Sequence, residues 1–126
     1  MAYELLIWRS ESISEDEWIT AVSAVNNVRI DESSIVAKNP KTEEVIEIQG
    51  MPTDASVKFK NGGFLGLGVK ETWVHYFRFS TKHGFAIFPY SSELDSSDNP
   101  VRIVASDLAK KLNAKIIGEE DEIYDW

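Results

Sequence analysis

The segment that most constrains this fold is an aromatic stretch in the second half of the chain. Thr72-Trp73-Val74-His75-Tyr76-Phe77-Arg78-Phe79-Ser80 is followed, after Thr81-Lys82-His83-Gly84, by Phe85-Ala86-Ile87-Phe88-Pro89. Aromatic and β-branched residues suit a pleated, half-buried surface, and a short Gly-containing connection between two such runs reads as a hairpin. One side of the first arm must face a core. The opposite face then shows either Tyr76 and Arg78 or Trp73 and His75. A chain of 126 residues has room for one core, so residues 1–126 are expected to form a single domain around this hairpin.

Two helix signals flank it. Ser14-Glu15-Asp16-Glu17 is a capping box, and Trp18, Ala21, Val22 and Val25 follow at helical spacing. A helix is expected from about Glu15 to Val25, ending near Asn26-Asn27. Asn99-Pro100 supplies a cap and a first-turn proline. Val101, Val104, Ala105, Leu108 and Leu112 then form an apolar stripe that Asn113 can close in a left-handed conformation. Further strands are expected at Tyr3–Trp8, in a hairpin of residues 34–38 and 44–49 turned by Asn39-Pro40-Lys41-Thr42, at Ala55–Lys60, and at Ala114–Ile117. In the second arm of that hairpin, Glu44, Ile46 and Ile48 are expected on one side, with Val45, Glu47 and Gln49 on the other. The expected fold class is α+β, a two-layer sandwich of mainly antiparallel sheet with two helices on one face.

Charge separates the functional classes. Twenty-one Asp and Glu stand against 13 Lys and Arg, a net charge of −8. Nucleic acid is a polyanion, so direct binding to it is not expected. Lys110, Lys111 and Lys115 have a sufficient role at a helix C-terminus. No apolar run is long enough for a membrane-spanning helix, and Met1-Ala2-Tyr3-Glu4 does not open a signal peptide. With no cysteine there is no disulfide and no thiol catalysis, and a cytoplasmic location is expected.

Catalytic patterns are not found. His75 and His83 share the aromatic hairpin, and either could meet a carboxylate, but a metal site needs three or four converging ligands. Asn61-Gly62-Gly63-Phe64-Leu65-Gly66-Leu67-Gly68 continues as Val69-Lys70-Glu71 and a strand, whereas a phosphate loop needs Lys-Ser or Lys-Thr and a helix. It is expected to be a flexible, unusually apolar loop. No G-x-S-x-G elbow occurs. The chain is therefore expected not to be an enzyme and to need no cofactor.

The C-terminus is the candidate binding surface. Glu119-Glu120-Asp121-Glu122-Ile123-Tyr124-Asp125-Trp126 holds five carboxylates and two aromatics in eight residues. Carboxylates steer a basic partner, and aromatics bury area. The alternative for these rings is docking on the protein's own core. Candidate partner-binding residues are Glu119, Glu120, Asp121, Glu122, Tyr124, Asp125 and Trp126, with Tyr76 and Arg78 on the hairpin.

Three segments carry a resemblance: Ile13–Trp18, Asn39–Glu44, and Ala105–Tyr124 with its G-[DE]-[DE]-x-E-x-Y ending. They make up about a quarter of the chain, which resembles small acidic immunity proteins of bacterial contact-dependent inhibition and polymorphic toxin systems. The resemblance implies a cytoplasmic inhibitor of a cognate protein toxin with a basic surface, such as a nuclease domain, acting by occlusion. It assigns no functional residue. Two other classes stay open: an adaptor or regulatory domain that binds a cellular protein through a sheet edge, and a small enzyme built on His75 and carboxylates.

Overall fold

The computed structural model describes residues 3–32, 35–38, 41, 42, 44–48, 50–61 and 70–126. Their order is β1 (Glu4–Trp8), α1 (Glu15–Ala24), β2 (Val28–Ile30), β3 (Ile35–Lys38), β4 (Val45–Ile48), β5 (Ala55–Asn61), β6 (Lys70–Ser80), β7 (Phe85–Pro89), a 3-10 turn (Ser92–Asp95), α2 (Pro100–Leu112), β8 (Lys115–Ile117) and β9 (Ile123–Tyr124). Seven strands form one sheet in the order β2-β5-β6-β7-β1-β8-β9, and every neighbouring pair is antiparallel. Among the described residues β3 and β4 pair only with each other. The fold is α+β, with two helices packed against an antiparallel sheet.

Local chemistry sets the helix ends. Ser14 Oγ accepts from the Glu17 amide at 3.1 Å, while Glu17 Oε1 accepts from the Ser14 amide at 3.2 Å. That reciprocal box satisfies two donors that the first turn would otherwise leave unpaired. Asn99 Oδ1 accepts from Val101 and Arg102 at 2.9 and 3.1 Å, and Pro100 takes a position where no amide is needed. α2 stops at Asn113, whose φ of 53° is left-handed.

The apolar stripes of both helices meet one sheet face. Trp18 on α1 is fully buried, stacks on Phe79 at 5.4 Å and meets the edge of Phe77 at 6.2 Å. Its indole Nε1 donates to the Thr53 carbonyl at 2.8 Å, so burial leaves no polar atom unpaired. All five stripe residues of α2 are buried, together with Leu5 and Ile7 of β1, Phe88 of β7 and Ile116 of β8.

The β6–β7 hairpin turns at Thr81–Gly84. Gly84 has φ +73°, and a Cβ there would strike Ser12 at 2.6 Å; its carbonyl accepts from the Ile13 amide at 2.9 Å. Asn39, Pro40 and the run 62–68 lie outside the described residues, and so does the facing of side chains along β3 and most of β4.

Three features differ from the sequence expectation. β2 forms from Val28-Arg29-Ile30, immediately after α1, because β5 offers it a ladder. The polar stretch at 91–98 contains a 3-10 turn that buries Leu94. The C-terminal acids do not end the sheet: Ile123 and Tyr124 form β9, paired with Ile117 and Ile116.

Candidate functional site

Two polar assemblies stand out, at opposite sides of the sheet. The first is built by the returning C-terminus. Asp121 takes φ 62° and its amide bonds to the Gly118 carbonyl at 3.1 Å, reversing the chain. Gly118 donates to the Glu122 carbonyl at 2.9 Å. A side chain at Gly118 would run into Glu122 and Tyr3. From there the chain alternates: Glu122, Tyr124 and Trp126 are half-buried, while Asp121, Ile123 and Asp125 are exposed. Period-two alternation is what a strand imposes.

The inward set is tied to distant segments. Glu122 accepts from the hydroxyls of Tyr3 and of Tyr124, the latter at 3.2 Å. Tyr3 packs edge-on against Tyr90 at 6.1 Å, and Tyr90 donates its hydroxyl to Asp95 at 2.8 Å. Trp126 lies 6.2 Å from Phe88, with the Arg102 guanidinium 5.3 Å over its ring, and its carbonyl accepts from Ser106 at 3.0 Å. On the outward side Glu119 Oε2 accepts from the Glu4 amide at 3.2 Å. Three tyrosines register these neighbours by holding their protons above the usual phenol range. Tyr90 does so chiefly through its bond to Asp95. In Tyr124 burial comes first and the bond to Glu122 second. In Tyr76 burial comes first and the charge of Glu93 second.

One end of the molecule thus gathers Glu4, Glu93, Asp95, Glu119, Glu120, Asp121 and Glu122, while Asp125, just past β9, lines a cleft with Lys110 and Lys115. Among the described residues none of these seven carboxylates forms a salt bridge. Arg102 donates instead to the backbone carbonyls of Leu94 and Asp95. The sequence flagged four of the seven. Glu4, Glu93 and Asp95 lie far from the tail along the chain, and only strand pairing brings them in.

The second assembly sits on the sheet face opposite the helices. Asp54 is fully buried before β5; its Oδ2 accepts from the Met51 amide at 2.9 Å and lies 2.8 Å from His75 Nε2 and 3.5 Å from Arg78. His75 and Arg78 are three residues apart, so a regular strand would send them to opposite faces. The β5–β6 register slips by one residue, pairing Ala55 with Phe77 but Ser56 with His75, and this bulge puts both beside Asp54. Tyr76, the extra residue, turns to the core side and packs against Phe59 at 5.7 Å. Of the two expected outer sets, Trp73 with His75 is the one found there, and Arg78 joins it without Tyr76, because the bulge breaks the alternation between 75 and 77. Trp73 carries the Arg29 guanidinium at 4.1 Å.

Of the predicted partner residues, the structure brings together Glu119, Glu120, Asp121, Glu122 and Tyr124 at the acidic end and links Tyr76 to it through Glu93, while Asp125 lies beside Lys110 and Lys115, Trp126 against Arg102, and Arg78 apart with Asp54. Ser56 is the register partner of His75, but its hydroxyl donates to Asp31 at 2.9 Å. In a nucleophile–base pair the hydroxyl would instead face the imidazole. His83 is distant in role, stacked on Phe85 at 5.6 Å. Among the described residues no group of three or more His, Asp and Glu has metal-holding geometry, and no helix is long and apolar enough to cross a membrane. No protein family, no curated protein and no solved structure matches the chain.

Proposed function

We propose that this protein is an immunity protein: it binds a cognate bacterial toxin with a basic surface, such as a nuclease domain, and neutralises it by occluding the active site. The observation that carries this reading is the set of seven carboxylates at one end that form no salt bridge among the described residues. An uncompensated acidic surface costs self-repulsion in the free protein, a cost that a basic partner removes. The surface is also pre-ordered. β9, the Glu122–tyrosine bonds and the Trp126 contact hold it to the core before any encounter, so little ordering entropy is lost on binding. Presented carboxylates imitate phosphates in a nuclease cleft, and opposed charge raises the association rate.

The test uses the full chain as bait in lysate of the source cell, followed by an activity assay of what it captures. Recovery of a cationic toxin that the chain silences at one-to-one ratio supports the reading. Glu119→Lys/Glu120→Lys should then slow association and weaken its salt dependence. Unchanged binding by that variant overturns the acidic surface as the contact.

A further inference from the structure

A cleft opens where α2, β8 and the chain leaving β9 part from one another. It encloses about 340 Å³, and Ala109, Ala114, Ile116, Tyr124 and Trp126 give it apolar and aromatic walls. Ala109, near the end of α2, and Ala114, just past it, are too small to fill the space. The aromatic wall is set in advance. Ser106 holds the Trp126 carbonyl at 3.0 Å, Arg102 stands 5.3 Å over the indole, and Tyr124 lies 5.7 Å from it. The Tyr124 hydroxyl is committed to Glu122, which is not part of the lining. A ligand entering here would order little protein.

The sign of charge inverts at this cleft. The chain carries −8 overall, yet the lining sets Lys110 and Lys115 against a single carboxylate, Asp125. Among the described residues neither lysine forms a salt bridge. Lys110 lies in the last turn of α2, where it also answers the helix dipole. Lys115 lies beyond the helix, in β8, where the dipole does not account for it. One further step of the β8–β9 register sets Asp125 opposite Lys115. Even a full pairing there leaves the Lys110 ammonium over. We propose that the cleft binds a small aromatic monocarboxylate, its ring against Tyr124, Trp126 and Ile116 and its carboxylate on Lys110. Apolar walls with a few placed polar groups are the general form of a small-ligand site. Ring pairs reward an aromatic body over an aliphatic one. An ammonium–carboxylate bond is charge-assisted, and one surplus positive charge matches one negative charge.

Phenylacetate is the probe, titrated into the full chain without any toxin and followed by heteronuclear NMR, so the outcome is independent of the proposed function. It should bind at millimolar concentration and shift the amides of Lys110, Lys115, Ile116, Tyr124 and Trp126 most. Phenylacetamide keeps the ring without the charge and should bind at least about tenfold more weakly, and phenethylammonium should not bind. Lys110→Gln, at an exposed position, should weaken phenylacetate about tenfold. Lys111→Gln removes the same charge one residue away, outside the lining, and should leave binding unchanged. Equal binding of phenylacetate and phenylacetamide overturns the proposal. So do shifts that leave the cleft residues unmoved, or equal losses in the two lysine variants.

Discussion

The two faces of the sheet are built on different rules. The helix-covered face is closed by stripes on α1 and α2, each ended by a local cap, and its interior polar atoms such as the Trp18 indole find partners. The outer face is held by charges and register: a bulge at Tyr76 and a buried Asp54 set between His75 and Arg78. The first kind of face stabilises by area removed from water. The second contributes less per group, because the cations around Asp54 keep contact with solvent, and it tolerates change better.

Trp18→Ala should break the helix-covered face outright. The indole touches Phe77 and Phe79, caps the Thr53 carbonyl and has no solvent exposure. Its loss should cost about 3–5 kcal/mol, read as a lower denaturant midpoint at unchanged slope. A loss below about 1 kcal/mol would show that the two faces share the load more evenly than their packing implies.

Asp54→Ala is the matching cut on the outer face. It removes the turn bond to Met51 and leaves His75 and Arg78 without their shared carboxylate. A fully enclosed pair would lose more, but Arg78 is 46% exposed and recovers hydration, so about 2 kcal/mol is expected. Chemical denaturation of Asp54→Ala against Arg78→Ala separates the terms: the arginine variant should lose under about 1 kcal/mol. Equal losses would mean that the Asp54–Arg78 contact, not the turn, carries the effect.

Asn99→Ala probes the local rule alone. Two amides of α2 lose their acceptor, and about 1 kcal/mol should follow, with hydrogen exchange quickening at Val101 and Arg102 before the rest of the helix.

How much of this was legible follows from the same contrast. The Ser14 box, the Asn99-Pro100 start, the Asn113 stop and the α2 stripe are signals within one turn of helix, and each stands in the structure where the sequence placed it. The aromatic hairpin was equally plain, but its facing was not. A one-residue bulge at Tyr76 has no local signature and inverts which side chains meet. β9 was hidden by composition. Glu122-Ile123-Tyr124-Asp125 alternates like a strand, yet carboxylates are poor strand formers, and only the ladder offered by β8 and the bond from distant Tyr3 make the pairing favourable. Asp54 was invisible for the same reason, since its partners lie more than 20 residues away in β6.

The smallest effect bears on how firmly β9 is held, and it is one of sign. Tyr76, Tyr90 and Tyr124 all hold their protons above the ordinary value of 10.0. A group whose folded value is raised contributes stability that is complete below its unfolded value and fades as pH climbs through the folded one. Stability should therefore be flat in this respect up to about pH 10 and decline beyond it, as phenolates form beside Asp95, Glu93 and Glu122. Phenolate absorbance of the folded chain should rise later than that of the denatured chain. Trp126, 5.7 Å from Tyr124, should report release of the strand by a fluorescence change over the same range. Glu122→Gln removes the anionic acceptor, so the Tyr124 transition should move back toward the position burial alone sets, while Tyr90, held by Asp95, keeps its own. If both transitions moved together, the tyrosines would answer to the summed charge of the acidic end rather than to individual bonds, and β9 would be fastened by its ladder and the Trp126 contact alone.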